Sequence, residues 1–347
     1  MVGYREILGI LDRPHFPKPG APGLERFKEW FHFNILVPDS STDLVINFSF
    51  AGDVTRAGAG QADVIALVHH RARGWQGGID SYDASAAVAN PERLALSVAD
   101  AASLSYQKGL YHLALQRHDG SMALQAVLTP LVEPMLLWHD TPLGSGSINW
   151  LITPHMEASG ELTIGGEQLV FHEAYSYHDH NWGYWKWGED FGWEWGFFAQ
   201  MTRAMGEGRF IIVSDRTSTR QGDVSLEHTL AVWRDAKLVK VFTRQMLRSR
   251  RHGRFAGTTP RHPGAANLVV TGTVQTVPER FVSSARDEGD WIDFEYVVDA
   301  ACQISIPNEL SFGVIGLNET FGELAVRGVL NGENLEFSAR ACFEFLG

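Results

Sequence analysis

The sequence has little cysteine and no long apolar run. Only two of its 347 residues are cysteine, Cys302 and Cys342. This is too few for the disulfide framework of a small secreted domain, so we expect two buried thiols, the common environment of free cysteine. No segment approaches the roughly 20 apolar residues that a membrane-spanning helix needs. The sequence therefore predicts no integral membrane association.

Basic residues are also scarce. There are 29 Lys and Arg against 41 Asp and Glu, a formal net charge of −12. Nucleic acids and anionic membranes are held by basic clusters, so no nucleic-acid partner is expected. The single basic run, Arg248 to Arg254, is short and is predicted to be a solvated loop. The apolar stretch Ile7 to Leu11 is too short for a signal peptide, which predicts a cytoplasmic location.

Common cofactor and nucleophile motifs are missing as well. The chain has no Gly-x-Ser-x-Gly and no phosphate-binding loop, and Gly58-Ala59-Gly60 lacks the spacing of a dinucleotide fingerprint. We therefore expect no nicotinamide, flavin or haem, and no required metal.

What the chain has in abundance is short alternating segments. Leu44 to Phe50 places apolar residues on one side of a strand. The same pattern recurs at Ala62 to Val68, Leu110 to Gln116, Met122 to Leu128, Gln168 to Tyr177, Phe210 to Asp215, Leu226 to Trp233, Leu268 to Thr276 and Trp291 to Ile304. Turn signals separate the segments, and Asn331-Gly332 is the clearest hairpin turn. Asp80 to Ala89 and Asp100 to Gln107 are predicted to hold a turn or two of helix.

The pattern and the length predict two all-β domains. Many strands at regular spacing are typical of sandwiches or up-and-down barrels, and we expect helix below about 15% of the chain, against the usual third. At 347 residues, 44% of them apolar, the chain fits two domains of ordinary size, each with its own core. We place the boundary near the chain midpoint, giving domains 1–186 and 187–347.

One segment, Phe171 to Gln200, differs from the rest in composition. It holds Trp182, Trp185, Trp187, Trp193 and Trp195, beside several His, Asp, Glu and Tyr residues. Burying so many polar groups is costly unless they are paired, and aromatic walls with a few convergent polar groups are typical of a ligand cavity. The alternative is a structural plug at the end of a barrel, with His and Asp satisfying backbone groups.

Two further hypotheses concern this segment. Alternate strand residues share a face, so His172, His178 and His180 are candidate metal ligands, although the Glu that follows the His-x-His of a cupin is missing. Glu189, Asp190 and Glu194 contain a candidate carboxylate pair for glycoside hydrolysis, but nothing in the sequence determines their separation.

Three motifs resemble a known superfamily, that of the carotenoid 1,2-hydratases (hydroxyneurosporene synthases) and AttH-like proteins. Tyr175 to Gly183 resembles its Tyr/Trp-x-Asp-His-Asn-x-Gly motif. Glu29 to Phe33 resembles its early Glu-Trp-Trp-Tyr strand, and Trp193 to Gln200 resembles its Trp-Asp-Trp strand. The motifs occur in the family's order, and the resemblance covers nearly the whole chain. Two departures are Phe31-His32 in place of Trp-Tyr, and Val213-Ser214-Asp215, which lacks the Tyr of a Tyr-x-Asp motif.

The resemblance implies a fold and a range of activities. The fold is two tandem lipocalin-like β-barrels with the site at their junction. Carotenoid hydratases add water to a terminal double bond without a cofactor, fungal relatives catalyse Diels–Alder cyclisations, and many bacterial members have no assigned activity. The catalytic candidates carried over are Asp179, His180, Asn181 and Trp182. The substrate-binding candidates are Glu29, Trp30, His32, Tyr177, His178, Trp193, Glu194, Trp195 and Asp215.

The leading functional hypothesis is a cofactor-independent lyase or cyclase that protonates a C=C bond. The predicted partner is an apolar small molecule: a polyene, a terpenoid or isoprenoid-like compound, or a polyketide-like compound. Such a reaction needs an acid that is still protonated near neutral pH, and burial beside Trp raises the pKa of an Asp. Asp179 and His180 are the rival acids. The carbocation would lie against aromatic faces and be trapped by water or by an internal alkene. A pericyclase and a non-catalytic carrier of a lipid or pigment are the alternatives.

Overall fold

The chain is almost entirely β-structure. The computed structural model describes residues 4–188, 190–200, 209–219, 225–263 and 277–346. Of these residues, 69% lie in strands and 6% in helices. The described ranges hold one α-helix, Tyr4–Leu11 (α1), and short 3-10 turns at Leu24–Arg26, Pro38–Ser40, Ala84–Ala86 and Arg244–Met246. The predicted all-β class is confirmed.

The chain divides into two compact units, Met1–Lys186 (unit 1) and Trp187–Gly347 (unit 2). The described strands of unit 1 are β1 Phe27–Val37, β2 Thr42–Gly52, β3 Gly60–His70, β4 Gly74–Asp83, β5 Ala87–Ala89, β6 Ala95–Val98, β7 Ala102–Gln107, β8 Leu110–Gln116, β9 Met122–Pro130, β10 Met135–Leu143, β11 Gly146–Ile164 and β12 Glu167–Tyr184. Those of unit 2 are β13 Phe191–Ala199, β14 Phe210–Thr219, β15 Ser225–Arg234, β16 Lys237–Thr243, β17 Leu247–His252, β18 Arg261–His262, β19 Arg280–Asp287, β20 Asp290–Pro307, β21 Val314–Leu330 and β22 Glu333–Leu346.

Each unit contains one large sheet, and the two sheets share a topology. The order in unit 1 is β4-β3-β2-β1-β12-β11-β9-β8-β7-β6-β5, with β10 paired to β11. In unit 2 it is β16-β15-β14-β13-β22-β21-β20-β19-β17, with β18 paired to β20. In both units the first strand is hydrogen-bonded to the last long strand, antiparallel, as β1 to β12 and β13 to β22.

Each sheet curls around its own apolar core. In unit 1, Phe48 of β2 and Leu113 of β8 lie far apart in the strand order but belong to one buried cluster. In unit 2, Phe242 of β16 and Phe281 of β19 likewise share one cluster with Phe343 of β22. Strands from both ends of a sheet can meet in one core only if the sheet rolls up. The prediction of tandem lipocalin-like barrels is therefore confirmed as a fold.

Local predictions had mixed outcomes. Asn331 and Gly332 have φ of 51° and 79° and join β21 to β22, as predicted for a tight hairpin turn. The helical prediction was wrong for Asp100 to Gln107, most of which is strand β7. Asp80 to Ala89 holds a single 3-10 turn, Ala84–Ala86, between strands β4 and β5. Pairing on both sides of β7 overrides its weak helical pattern. The predicted strand Leu268 to Thr276 lies outside the described residues.

The basic run is also more ordered than predicted. Residues 247–252 form strand β17 against β19 rather than a solvated loop, although several of its side chains are exposed. Both cysteines are buried thiols, as expected. Within the described ranges, no helix has the length and apolar character needed to cross a bilayer.

Candidate functional site

Strand β12 carries the motif Tyr177 to Gly183 and divides it between two faces. Successive strand residues point to opposite sides of a sheet. His178 and His180 lie opposite Phe33 and Phe31 of β1 and stack on their rings, with centroids 4.0 Å apart in each pair. Both phenylalanines belong to the unit 1 core, so these histidines face the interior of the barrel. The other face of β12 carries Tyr177, Asp179 and Asn181.

The motif ends on Gly183, a position that has no room for a side chain. A Cβ at Gly183 would collide with the carbonyl oxygen of Ser147 on the neighbouring strand β11. Any larger residue would therefore push β11 and β12 apart at this point. The close approach keeps the pairing regular from Ser147 to Thr153, next to the two histidines.

His180 lies between two fully buried carboxylates. Its Nε2 is 2.7 Å from Oε1 of Glu29, and its Nδ1 is 2.9 Å from Oδ1 of Asp12. All three side chains are 0% exposed. A charged histidine in such a position is paired on both sides of its ring, which is the condition under which buried charges are tolerated.

Asp12 connects three side chains. Its Oδ2 accepts a hydrogen bond from the Tyr111 hydroxyl at 2.8 Å and lies 2.9 Å from Nε2 of His178. The other ring nitrogen of His178 is 2.9 Å from the backbone oxygen of His32. Asp12 follows directly on α1, and the burial of Leu8 in the core places this end of the helix over the barrel.

His15 completes the group at its more exposed side. Its backbone N–H donates to Oε1 of Glu29 at 2.7 Å, and its ring stacks on Trp182 at 3.9 Å with an interplanar angle of 2°. We call Asp12, His15, Glu29, Tyr111, His178 and His180 the His180 cluster. Sequence reasoning missed Asp12, His15 and Tyr111. The proline-rich segment 14–23 contains His15 and follows Asp12 closely, but it has no pattern that indicates a contact with the motif on β12.

The charges in this cluster shift one another's pKa. Burial alone would lower the pKa of His180, but hydrogen bonds and charge from Asp12 and Glu29 raise it to about 9. Burial would raise the pKa of both carboxyl groups, yet the neighbouring histidines hold both below their usual range. Burial is the main reason why the pKa of His15 is lowered. Within the cluster, His180, Asp12 and Glu29 are therefore paired charges.

The other face of β12 holds Asp179 as an acceptor. The Tyr177 hydroxyl donates to Oδ2 of Asp179 at 3.0 Å, and the Asn181 amide donates to Oδ1 at 2.8 Å. Asp179 is 1% exposed. Both oxygens accept a hydrogen bond from a neighbour on the same strand, so the group is oriented without help from either histidine beside it in the sequence.

Two further predicted residues of β1 lie on this second face. His32 hydrogen-bonds through Nε2 to Oδ1 of Asn34 at 2.8 Å. Burial is the main cause that lowers the pKa of His32 to about 4. The hydrogen bond to Asn34 opposes this shift and the charge of His178 adds to it, so the ring is neutral. Trp30 packs edge-on against Trp185, with ring centroids 5.5 Å apart.

The metal hypothesis based on His172 does not hold. The pairing of β11 with β12 shifts register between Ala158 and Gly160, and Glu173 has a φ of 51°. This bulge reverses the alternation, so His172 is exposed while His178 and His180 are buried. Among the described residues, the group able to offer ligand atoms to one ion is instead His15, Glu29 and His180.

In unit 2 the two predicted tryptophans share an acceptor that the sequence did not indicate. Trp193 and Trp195 of β13 both donate their indole N–H to Oε1 of Glu344 on β22, with the Trp195 bond at 2.9 Å. Burial is the main cause of a raised pKa at Glu344, which also bonds to Glu319. Trp187 and Phe191 pack against Trp193 at 5.6 and 5.7 Å, which extends an aromatic wall.

Asp215 lies beside this wall. It is the cross-strand partner of Trp195 in the β13–β14 pairing, and such side chains lie about 4.5–5.5 Å apart at Cβ. It is 1% exposed, and within the described part of the chain neither carboxyl oxygen has a hydrogen-bond partner. Burial, followed by the charges of Glu227 and Glu194, raises the pKa of Asp215 well above its usual value.

Glu194, by contrast, is paired with arginine. Its Oε1 lies 2.6 Å from Nε of Arg251 and 3.3 Å from Nη1 of Arg216. Arg251 belongs to the basic run that was predicted to be a solvated loop, so tertiary structure gives this residue a buried partner. Glu189, another of the three carboxylates from which a glycosidase pair was predicted, lies outside the described residues.

A small cavity lies elsewhere in unit 1. Its volume is about 130 Å³, and it is lined by residues that include Thr42, His70, Arg73 and Glu167. None of the predicted site residues lines it. Ligand pockets usually measure about 300–1,000 Å³, so this cavity is too small for a polyene.

Comparisons with known proteins are informative for structure alone. No protein-family model and no curated protein matches the sequence. Among solved structures, a Nitrosomonas europaea protein described as AttH has a TM-score of 0.63 at 16% identity, over 96% of this chain and 97% of that one. Kievitone hydratase from Nectria haematococca has a TM-score of 0.55 at 12% identity, over 96% and 97%. CghA has a TM-score of 0.60 at 12% identity, over 92% and 88%.

These matches extend over nearly the full length of each chain. The chain therefore has the tandem-barrel fold of AttH, kievitone hydratase and CghA. The resemblance drawn from the three sequence motifs is confirmed at the level of the fold.

Proposed function

We propose that the protein is a hydratase or cyclase that protonates a C=C bond of an apolar, polyene or isoprenoid-like substrate, with Asp215 as the acid. The observation that carries the proposal is the state of this carboxyl group. It is buried, its pKa is raised well above its usual value, and its oxygens have no hydrogen-bond partner among the described residues. Such a carboxyl group keeps its proton near neutral pH and has nothing else to donate it to.

The two acids proposed from the sequence are less suited to this step. Asp179 accepts hydrogen bonds at both oxygens. Both ring nitrogens of His180 face carboxylates at 2.7 and 2.9 Å. A general acid must be able to reach the atom that it protonates. The proton of Asp215 is better placed for transfer because no residue in the described part of the chain accepts a hydrogen bond from it.

The surroundings of Asp215 suit a cationic intermediate. Proton transfer from its carboxyl group to one alkene carbon leaves a carbocation at the other carbon and a carboxylate on Asp215. The faces of Trp195 and Trp193 can stabilise that positive charge. Glu344 holds both indole N–H groups, which orients the rings before the substrate arrives.

The intermediate can then react in two ways, and no cofactor enters either path. In hydration, water adds to the cation and loses a proton to the Asp215 carboxylate, which restores the acid. In cyclisation, an internal alkene attacks the cation, and loss of a proton from a neighbouring carbon to the same carboxylate restores it. Kievitone hydratase is by name a hydratase, and CghA has been solved with a compound, Sch210972. The shared fold supports, without determining, this class of reaction.

The test is turnover in D₂O. The first probe is an acyclic carotenoid with a terminal isoprenoid double bond, followed by any apolar compound extracted from the purified protein. The wild type should place deuterium on carbon in the product. Asp215→Asn should bind the probe but lose about 10²–10⁴-fold in rate, the usual contribution of a general acid. Asp293→Asn, at an exposed ion pair in the same unit, is the matched control.

Each other outcome points to a different function. If Asp179→Asn or His180→Ala loses turnover and Asp215→Asn does not, the acid is one of the residues proposed from the sequence. If product forms without deuterium on carbon and Asp215→Asn keeps its rate, the protein is a pericyclase. If wild-type protein binds the extracted compound without changing it, the protein is a carrier.

A further inference from the structure

We propose that His15, Glu29 and His180 form a binding site for a divalent transition-metal ion, with Zn²⁺ as the probe. Each side chain offers one ligand atom, and these atoms lie within 4.8 Å of one another. Two imidazoles and one carboxylate form a donor set that suits zinc and other first-row divalent metals. This site is in unit 1, whereas the proposed acid is in unit 2, so the inference goes beyond the proposed function.

The spacing fits one shared ion. Nε2 of His180 is 2.7 Å and Nδ1 of His15 is 3.6 Å from Oε1 of Glu29. Zinc bonds of about 2.0–2.1 Å place tetrahedral ligand atoms about 3.3 Å apart. The observed distances lie on either side of that value, so side-chain movements of under about 1 Å would complete the shell.

The surrounding residues hold the ligands as an outer shell does in metal proteins. A ligating histidine usually donates its second N–H to a carboxylate, and Nδ1 of His180 lies 2.9 Å from Oδ1 of Asp12. Asp12 is in turn held by Tyr111 at 2.8 Å. The His180 ring stacks on Phe31 at 4.0 Å.

His15 is restrained in a different way. Pro14 and Pro17 flank it closely, and proline limits the backbone on either side. Its ring stacks on Trp182 at 3.9 Å, and its backbone N–H holds Glu29 at 2.7 Å. The ligand from the N-terminal segment is thereby brought to the two ligands on β1 and β12.

A second observation, on two buried polar atoms of the proposed site, also favours a bound cation. Oε2 of Glu29 is buried, as is Nδ1 of His15, and neither atom has a hydrogen bond within the described residues. A buried carboxylate oxygen without a donor is costly, and a bound cation removes that cost. With three protein ligands, an ion here keeps a position for water or a ligand. His15, with 22% of its side chain exposed, provides the route from solvent.

The experiment uses the full chain, free of any purification tag and dialysed against a chelator. Isothermal titration with Zn²⁺ should give one ion per chain, and Co²⁺ should give the visible absorption of a nitrogen- and oxygen-ligated site. His15→Ala and Glu29→Gln should abolish both signals. Asp12→Asn should weaken Zn²⁺ binding by about 10–100-fold, as expected for an outer-shell carboxylate. His15 is only partly buried, so its variant should fold even if Glu29→Gln does not.

His172→Ala is the control, because it removes an exposed histidine of the same strand as His180. It should bind Zn²⁺ as the wild type does, and so should Asp215→Asn, which separates this proposal from the proposed function. The proposal is overturned if the wild type binds no stoichiometric Zn²⁺, if His15→Ala binds it equally well, or if His172→Ala removes the site. The His180 cluster would then be a hydrogen-bonded network that binds no metal ion.

Discussion

Asp12 of unit 1 and Asp215 of unit 2 are each almost fully buried, with 0% and 1% of their surface exposed. Burial raises the pKa of both, but histidines beside Asp12 reverse the shift, whereas Glu227 and Glu194 add to it at Asp215. The surroundings of Asp12 therefore favour its charged form, and those of Asp215 favour its neutral form. The comparison teaches that equal burial leaves the charge state undecided, and that the sign of the neighbouring charge decides it.

The largest effect on stability is expected at the paired aspartate. Asp12→Asn removes the negative charge that His178 and His180 face, and breaking a buried ion pair from one side costs about 3–5 kcal/mol. Denaturant unfolding monitored by circular dichroism measures the loss. The exposed Asp100→Asn is the control and should change the free energy of unfolding by less than about 0.5 kcal/mol. Equal stabilities for the two variants would show that Asp12 is not part of a charge network.

The pH dependence of stability tests the charge state of Asp215, the other aspartate of the comparison. The native Asp215 keeps a proton that the unfolded chain releases above its ordinary pKa of about 3.9, so the unfolded state binds fewer protons. The contribution of Asp215 to stability therefore falls as pH rises above about 4, by up to about 1.4 kcal/mol per pH unit, and levels off above the native pKa. Asp215→Asn should lack this component of the slope.

The measurement is the difference between wild type and Asp215→Asn in free energy of unfolding from pH 4 to pH 9. The difference should move in favour of the variant as pH rises. A constant difference would mean that Asp215 is ionised in the native state. That result would also remove the basis for its role as an acid.

The smallest effect on stability is expected at Trp182, which packs on His15 at the more exposed side of the His180 cluster. Trp182 is partly exposed and stacks on His15. Trp182→Phe keeps an aromatic face and should cost less than about 1 kcal/mol, whereas Trp182→Ala also loses the stacking, worth about 0.5–1.5 kcal/mol beyond the buried area. Thermal unfolding of the two variants measures the order. A larger loss for Phe than for Ala would contradict the stacking.

The sequence by itself determined the class of fold. Alternation with a period of two survives in almost any context because one face of a strand must be buried, so segments such as Leu44 to Phe50 were recognisable. The pairing of Asn331 with Gly332 predicted a hairpin because both residues tolerate positive φ. The three motifs were enough to predict the fold that the structure shares with AttH, kievitone hydratase and CghA.

Only the tertiary structure decided which polar groups meet. Asp12 and His15 reach His180 from over 160 residues away, and Glu344 reaches Trp195 from 149 residues away, at distances along the chain that no local pattern records. His172, His178 and His180 all lie at even-numbered positions of β12, but a single bulge at Glu173 places His172 on the opposite face of the strand. The protonation state of each group also depends on the charges within a few ångströms of it. The way in which the sheet closes determines which charges those are.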